Sequence, residues 1–415
     1  MTTRADGGEA AVAGAGSIHD DPLTSWEAFL GRLLELSHTM APHALAWVVA
    51  DLAAEVGLDD LVIHLVDLDQ RLLLPLATQP GTPAGEPLDI DATIAGRAFR
   101  TETIIEVEAP GDERRRRVWV PLMDGAERLG VMSLITHPLG DLSRARCHHL
   151  AAVVAELIVS KSQYGDTLPN ARRRRPMELA AELRWAVLPP LSFTGPRVTI
   201  AGILEPAYEV AGDAFDYALN GDIAHVAVFD AMGHGLEASR MANLAVGAYR
   251  HSRRLGLDLA ATYAAMDRAV ANEFGAERFV TGVLATLHCG TGELSWVIAG
   301  HPRPLVLRGA KMIGELSTDP SLPFGLGGAV ATPAVTSLEP GDRVLFFSDG
   351  VVEARSATGE LFGKERLGDL LVRASADAAT PPETMRRLVH AVLAHQGSTL
   401  KDDATLLLVE WRRPG

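Results

Sequence analysis

The stretch Val226–Ser239, VAVFDAMGHGLEAS, leads from a strand pattern into an acidic residue and a tight turn. Four apolar residues precede Asp230, and Gly233 and Gly235 stand on either side of His234. A short apolar run bounded by glycines is typical of a buried strand. The turn itself needs only the glycines, so the aspartate requires a separate explanation.

The residues before this stretch predict a β-hairpin that brings a second aspartate towards Asp230. Asn220–Gly221 is a strong signal for a two-residue turn. With those two residues as the turn, position 213 pairs with 228. Asp213 and Asp230 then lie at the same end of the hairpin, about 7 Å apart along the strand. A longer turn would shift this pairing by a residue or so.

Two further stretches combine an apolar strand with aspartates at one of its ends. RVLFFSDG places Asp349 and a glycine after a strand, and KDDATLLLVEW places Asp402 and Asp403 before one. In an antiparallel sheet the end of one strand and the start of its neighbour lie at one edge, so we expect these aspartates to face a common edge. A single aspartate beside a strand is usually a turn or helix-cap residue. Three such motifs are harder to explain in that way.

Carboxylates gathered at one edge repel one another unless cations neutralise them. Oxygen ligands suit Mg²⁺ or Mn²⁺, and two such ions can hold a hydroxide for in-line attack on phosphorus. Glycines in the turn allow a backbone carbonyl to approach the same site. The predicted metal-binding side chains are Asp213, Asp230, Asp349 and either Asp402 or Asp403.

Composition limits the classes of function. The net charge of -15 argues against general binding to nucleic acid or anionic membranes. Cys147 and Cys289 lie in no metal-ligand spacing, and no signal sequence or membrane span is visible, so a cytoplasmic protein is expected. The basic runs Arg114–Arg117 and Arg172–Arg175 are interpreted as solvated loops.

The chain divides into four predicted segments, and the overall fold class is α+β. Residues 1–22 are a disordered tail, 23–164 an α+β domain, 165–190 an Arg-rich linker with a short regulatory helix, and 191–415 a strand-rich domain. Local patterns predict helices at Leu45–Val56, 364–375 and 382–396, and strands at Leu61–Leu68, Arg116–Met123 and Glu127–His137, the last two joined by the turn DGAE.

The C-terminal motifs resemble those of the PPM-type metal-dependent protein phosphatases (the protein phosphatase 2C superfamily), in the bacterial SpoIIE/RsbU branch. The motifs occur in the family's order over about Thr199–Trp411: AGDAFDY, VFDAMGHGLEAS, TGVLATL, AGHPRPLVL, LPFGLG, LFFSDGVVEAR and KDDATLLLVEW. The resemblance implies an αββα β-sandwich with flanking helices. It also implies a centre of two Mn²⁺ or Mg²⁺ ions and a protein-serine/threonine phosphatase (EC 3.1.3.16) that uses a metal-activated hydroxide.

The resemblance assigns roles to the aspartates. Asp230 bridges the two metals, and the carbonyl of Ala231 completes one metal site. Asp349 and Asp402 each bind a metal, and with Asp230 they are the implied catalytic residues. Asp213, in AGD where the family more often has GGD, supports the site directly or through water.

Three positions keep more than one interpretation. Asp403 is the second ligand candidate of its pair. His234 could contact phosphate or bound water, or it could be a structural histidine of the turn. His301 is open to the same two interpretations, with a structural role favoured. The animal branch holds phosphate with an arginine near its N-terminus, and no equivalent can be placed here.

The N-terminal segment resembles a GAF sensory domain in its order of elements and in IAGRAFRTE and VWVPLMDGAERLGVMSL. That resemblance implies an unknown small ligand or dimerisation, and regulation of the phosphatase. The substrate usual in this branch is a phosphorylated anti-sigma factor antagonist with a STAS domain, which implies sigma factor regulation. The alternative is a catalytically inactive phosphatase-fold scaffold or ligand-sensing interaction module.

Apolar stripes on the helices on either side of the linker predict a homodimer that transmits regulation. The second stripe includes Leu179 and Leu183. The alternative is that each helix packs on its own domain. The first stripe consists of Leu150, Val153, Val154, Leu157 and Ile158.

Overall fold

The computed structural model describes most of the chain as three antiparallel sheets with helices on their faces. Residues 1–21, nearly all of the predicted tail, lie outside the described residues. The described residues are 22–78, 84–209, 212–275, 277–319, 321–327, 331–397, 400 and 402–412.

A six-stranded sheet organises the N-terminal domain. Its elements are α1 (Pro22–Thr39), a 3-10 turn (Pro42–Ala44), α2 (Leu45–Glu55), β1 (Asp59–Val66), β2 (Leu72–Pro75), β3 (Leu88–Asp89), α3 (Ile94–Thr101), β4 (Ile105–Ala109), β5 (Asp112–Asp124), β6 (Glu127–Thr136) and α4 (Asp141–Ser162). The strand order is β3-β2-β1-β6-β5-β4. Helices α1, α2 and α4 cover one face, and α3 packs on the other.

Several local predictions for this domain are confirmed. The β5–β6 hairpin pairs Asp124 with Glu127, and Gly125 adopts the positive φ that such a tight turn requires. On α4, Leu150, Val154 and Ile158 are at most 3% exposed and lie in the domain core. In the single chain, therefore, α4 packs on its own domain, as the alternative to the dimer prediction states.

The linker contains α5 (Thr167–Ala171) and α6 (Leu179–Trp185). The prediction of a solvated loop is wrong for Arg114–Arg117, which lies within β5. Acidic residues beside the strand pair with its arginines, as Asp60 does with Arg117 at 2.7 Å. In the second run, Arg173 bonds Glu182 of α6 at 2.6 Å, so this loop is held against the next helix.

The C-terminal region is an αββα sandwich, as predicted. Its elements are β7 (Ser192–Thr194), β8 (Val198–Glu205), β9 (Asp213–Asn220), β10 (Ile223–Ala231), α7 (Gly235–Arg254), α8 (Leu259–Phe274), β11 (Val280–His288), β12 (Glu293–Ala299), β13 (Leu305–Arg308), β14 (Lys311–Glu315), β15 (Ala334–Ser337), β16 (Arg343–Phe347), α9 (Asp349–Val352), α10 (Lys364–Ala376), α11 (Pro381–Gln396) and β17 (Ala404–Trp411). The sheet orders are β15-β12-β11-β10-β9 and β14-β13-β16-β17-β8-β7.

The two sheets bury their inner faces against each other. Helices α7 and α8 cover the outer face of the five-stranded sheet, and α9, α10 and α11 cover that of the six-stranded sheet. None of the helices in the described ranges has the length and apolar content needed to cross a bilayer. The inner core includes Val198, Ile200, Phe215, Val226, Val228, Val283, Trp296, Val344, Phe346, Leu407 and Val409.

The N-terminal domain contacts the sandwich through α11. Arg128 of β6 bonds Glu383 at 2.9 Å, and both side chains are 2% exposed. Arg386 lies one turn further along α11 and bonds Asp91 at 2.7 Å. A buried ion pair holds two surfaces together only when both charges are present, so this contact specifies how the two domains meet.

Candidate metal centre

The β9–β10 hairpin places Asp213 directly opposite Asp230. The predicted pairing of 213 with 228 is wrong because the turn consists of Gly221 and Asp222, one residue later than expected. Gly221 has a φ of +59°, as the first central residue of a type II′ turn requires. The register therefore removes the predicted offset and brings the two carboxylates to the same level.

The remaining aspartates come from the other sheet, so the prediction of one common sheet edge is wrong. Asp349 is the first residue of α9, directly after Ser348 and β16. Asp402 and Asp403 directly precede β17, which pairs with β16. The aspartates thus meet where the ends of two stacked sheets come together.

Hydrogen bonds join the two sheets at this junction. Ser348 Oγ donates to Asp213 Oδ2 at 2.6 Å and accepts from the Thr405 amide at 3.0 Å. Asp403 Oδ2 accepts the amides of Gly212 and Asp213 at 2.7 and 3.1 Å. Backbone donors therefore already engage Asp403. The sequence analysis missed Ser348, although its position between a strand and an aspartate was a usable signal.

Two glycines allow the backbone segments to approach each other. A Cβ on Gly350 would lie 2.0 Å from the Asp403 carbonyl oxygen, and one on Gly212 would lie 2.7 Å from the Ala231 carbonyl oxygen. Real Cβ atoms do not come this close to backbone oxygen, so only glycine fits. The glycine after Asp349 therefore has a packing role between α9 and the start of β17.

Burial and the negative charges of neighbouring carboxylates raise the pKa values of several of these aspartates. Burial raises the pKa of Asp230 to about 7, and the negative charges of Asp349, Asp402 and Asp403 add to the shift. Burial, followed by the charges of Asp230 and Asp403, raises the pKa of Asp213 well above its usual value. Burial and then Asp402 raise the pKa of Asp349. The site therefore carries negative charge that a bound cation would neutralise.

The donor chemistry fits Mg²⁺ or Mn²⁺. All five carboxylates offer oxygen ligands, and these hard cations keep several waters and need few protein ligands each. Among the residues that the structure describes, no group of three or more His, Cys, Asp or Glu side chains is arranged around a single ion position. The assignment of Asp213, Asp230, Asp349, Asp402 and Asp403 as ligands stays a prediction.

The two histidines have contrasting surroundings. His234 is exposed at the start of α7, and its side chain forms no helix cap. His301 is 6% exposed, and its Nδ1 lies 2.9 Å from Thr281 Oγ1. Burial lowers the pKa of His301 to about 3, so its ring is neutral. These surroundings favour a structural role for His301 and leave His234 accessible from solvent.

Two arginines near the site gave no signal in the sequence because they lie outside the motifs. Arg184 of α6 is fully buried and donates to the Ser239 carbonyl at 3.1 Å. Burial lowers its pKa to about 10, against the opposing effect of Asp403 and Asp213, so it remains charged. Arg278 bonds Glu237 at 3.0 Å and lies beside the DAMGHG turn that follows Asp230.

Comparison with known proteins identifies the C-terminal region. Residues 220–412 match the family model described as Stage II sporulation protein E (SpoIIE). Over these residues, which make up less than half of the chain, the C-terminal region is similar to the SpoIIE family. The match does not include residues 23–164, so the GAF resemblance stays a prediction.

Individual relatives of the SpoIIE-family domain are distant. Protein IcfG of Synechocystis sp. is 29% identical over 133 residues, which cover 32% of this chain and a fifth (20%) of IcfG. Phosphoserine phosphatase RsbU of Bacillus subtilis is 23% identical over 235 residues, covering 56% of this chain and 69% of RsbU. The solved SiaA-PP2C domain of Pseudomonas aeruginosa is 23% identical, with a TM-score of 0.47 and coverage of 60% of this chain and 98% of that one.

Proposed function

We propose that the chain is a metal-dependent protein-serine/threonine phosphatase. The observation that carries this proposal is the meeting of Asp213, Asp230, Asp349 and Asp402 at the junction of the two sheets in a SpoIIE-family domain. Two divalent ions, when bound, polarise a phosphate oxygen and activate water for in-line attack. A site built only for packing would not gather this much uncompensated charge.

The chain's own groups would each have a separate part. Asp230, Asp349 and Asp402 would hold the ions, with the Ala231 carbonyl as a further ligand. Ser348 orients Asp213 through its 2.6 Å hydrogen bond. Asp403 would act mainly by holding the Gly212–Asp213 backbone against β17, because both amides already donate to it.

Arg278 is our candidate for the phosphate-holding residue. Its side chain is 36% exposed, and its guanidinium lies beside Gly233 and pairs with Glu237. An arginine in this position can offer two parallel N–H groups to a phosphate. The exposed His234 lies in the same turn and is the second candidate. Arg278→Ala should raise KM for a phosphoprotein about tenfold, and Arg278→Lys should recover part of the loss.

The control for Arg278 is Arg240→Ala, because Arg240 is 60% exposed and only loosely paired with Glu273 at 3.9 Å. Steady-state kinetics on one phosphoprotein at saturating Mn²⁺ would measure both variants. An unchanged KM in Arg278→Ala would exclude the phosphate contact.

The metal mechanism is tested by Asp230→Asn. Hydrolysis of p-nitrophenyl phosphate and of a phosphoserine peptide should require Mn²⁺ or Mg²⁺, stop with chelator and be lost in the variant. The matched control is Asp222→Asn, at the turn of the same hairpin, where the carboxylate is 65% exposed and pairs with Arg197. An inactive wild type that keeps its fold with Mn²⁺ would instead favour the scaffold alternative.

The partners remain proposals that rest on the family and on RsbU, which is named a phosphoserine phosphatase. The substrate would be a phosphorylated STAS-domain anti-sigma factor antagonist in a cytoplasmic sigma factor pathway. Incubating the enzyme with a panel of such phosphoproteins tests this.

Homodimerisation through α6 is also proposed, since Leu179 is 63% exposed, and sedimentation would measure it.

Regulation through the N-terminal domain is proposed as well. The sheet bears a cavity of about 500 Å³, lined by Val62, His64, Arg117 and Trp119 among others. A concave site of this size with aromatic and charged walls suits a small organic ligand. We propose that a ligand there acts on the phosphatase through the α11 contact.

A further inference from the structure

A second, smaller crevice of about 140 Å³ lies where the N-terminal domain, the linker and the SpoIIE-family domain meet. Asp69 and Arg71 come from the β1–β2 turn, and Arg174 and Arg175 come from the linker. Glu205 comes from the end of β8. Three parts of the chain that are distant in sequence therefore contribute to one crevice.

Glu205 is a buried acid with one unused oxygen. It is 3% exposed, its Oε2 accepts the Ala207 amide at 3.1 Å, and its Oε1 has no hydrogen-bond partner within the described residues. Burial raises the pKa of Glu205 to about 8, and the charge of Asp69 adds to the shift. A protonated Glu205 would be able to donate from Oε1, the oxygen that has no partner within the described residues.

The arginines of the crevice also have donors to spare. Arg175 pairs with Glu209 and stacks over the Tyr208 ring at 4.7 Å. Arg174 comes no closer than 3.8 Å to Asp67. Arg71 is exposed, and it forms no ion pair with another of the described residues. Asp69 lines the same crevice, and the charges of Arg175, Arg174 and Arg71 oppose the rise that burial causes in its pKa. Within the described residues, however, neither Arg71 nor Arg174 forms an ion pair closer than 3.8 Å.

We propose that this crevice binds a small oxyanion, a phosphate or carboxylate group, between Arg71, Arg174 and the carboxyl group of Glu205. Hydrogen bonds from guanidinium to an oxyanion are among the strong ones in proteins. The volume equals four to five waters at about 30 Å³ each, which suits a small anion.

Two lining residues of the crevice, Glu209 and Leu400, lie four and two positions before Asp213 and Asp402 in the sequence. Binding of the anion does not depend on the proposed phosphatase activity, so the two proposals can fail separately.

Titration of the full chain with inorganic phosphate tests the proposal by calorimetry. The protein carries Asp230→Asn and is kept in chelator, so that the metal centre does not bind phosphate. Saturable binding of one phosphate per chain is expected, weakened about tenfold by Arg71→Gln, since one charged hydrogen-bonded contact is lost. Arg32→Gln is the matched control, because that arginine pairs with Glu55 between α1 and α2. A parallel titration with acetate distinguishes a carboxylate site from a phosphate site.

Two further measurements locate the anion. Glu205→Gln should retain binding within a few-fold, because the amide can donate in place of the acid, whereas a cation site would lose its ligand. Phosphate should slow hydrogen exchange in peptides covering 67–72 and 203–209. No saturable binding of either anion, or equal binding by Arg71→Gln and the control, would overturn the proposal.

Discussion

Hydrogen bonds and the strand register fix the position of the Asp213 side chain. Its carboxylate receives the Ser348 hydroxyl, its own amide is held by Asp403, and its position opposite Asp230 follows from the hairpin register. At 1% exposure the carboxylate is removed from water, which is why its pKa rises. The residue is thus oriented by neighbours before any cation arrives.

Ser348→Ala should impair the site through Asp213. The substitution removes the donor to Asp213 and leaves the buried Thr405 amide without its acceptor, so a loss of about 1–3 kcal/mol in unfolding free energy is expected. Groups that orient metal ligands typically contribute tenfold or more to metal affinity, so the Mn²⁺ concentration for half-maximal activity should rise about tenfold.

A Mn²⁺ titration of activity and a urea unfolding curve would measure both effects. Ser37→Ala is the control, because the Ser37 hydroxyl bonds only the Leu34 carbonyl at the surface. An unchanged Mn²⁺ requirement would remove Ser348 from the site.

Single elements bring the aspartates together. Helix α9 is only one turn long. It begins at Asp349, where the chain leaves β16. Strand β17 is fixed on both sides, by β16 and by β8, so Asp402 and Asp403 at its start have a defined position. The close approach of α9 to β17 is possible because residue 350 is glycine.

Gly350→Ala should separate these elements. Its Cβ would lie 2.0 Å from the Asp403 carbonyl oxygen, a backbone contact that no rotamer can relieve. We expect a loss of about 1–3 kcal/mol in stability and a larger relative loss of activity.

Gly247→Ala in α7 is the matched control, because its Cβ would meet nothing within 4 Å and alanine suits a helix better. Thermal unfolding together with phosphatase assays separates the two effects. Wild-type activity in Gly350→Ala would show that the α9–β17 contact is not needed.

At the scale of the whole molecule, the two domains are joined by buried charge. Arg128 and Glu383 are each 2% exposed, and Glu383 also receives Arg386 and Arg387 of its own helix. Helix α11, which carries this contact, ends at Gln396, six positions before Asp402 in the sequence.

Arg128→Met should weaken this junction. Glu383 keeps its pairs with Arg386 and Arg387, so the expected loss of unfolding free energy is about 1–3 kcal/mol, less than for a buried charge left wholly unpaired. Arg366→Met, which loses a pair with the exposed Glu360, should cost below about 1 kcal/mol. Urea denaturation of both variants measures the difference, and equal losses would contradict a buried junction.

Glu205 makes the stability of the molecule depend on pH. Because its folded-state pKa of about 8 exceeds the ordinary value of 4.5, the folded protein holds a proton that the unfolded chain releases between these values. Its contribution is therefore complete below about pH 4.5 and is lost as the pH rises through 8. Relative to wild type, Glu205→Gln should gain stability from pH 5 to 8, by a few kcal/mol at most (roughly 1.4 per pKa unit).

Chemical denaturation at several pH values measures this difference. Glu209→Gln is the control, because it makes the same substitution at a side chain that is 40% exposed. Parallel curves for wild type and Glu205→Gln would show that the acid titrates normally.

Local patterns in the sequence predicted many of the elements and singled out the candidate site residues. Hydrophobic periodicity predicted α2, α10, α11 and β17 to within a few residues. Each of these elements buries one face, so its apolar residues recur at a regular spacing in the sequence. The motifs singled out the five aspartates, because acids beside apolar strands are conspicuous. These features depend on neighbours in sequence.

The way in which these elements meet depends on contacts between distant parts of the chain. A turn that begins one residue later placed Asp213 level with Asp230, and the distribution of the aspartates over two sheets followed from strand order rather than from any local signal. Ser348, Arg184 and the crevice around Glu205 are defined by partners far away in the chain. Local patterns report which face is buried, whereas register and long-range packing are set by contacts that a pattern of near neighbours does not contain.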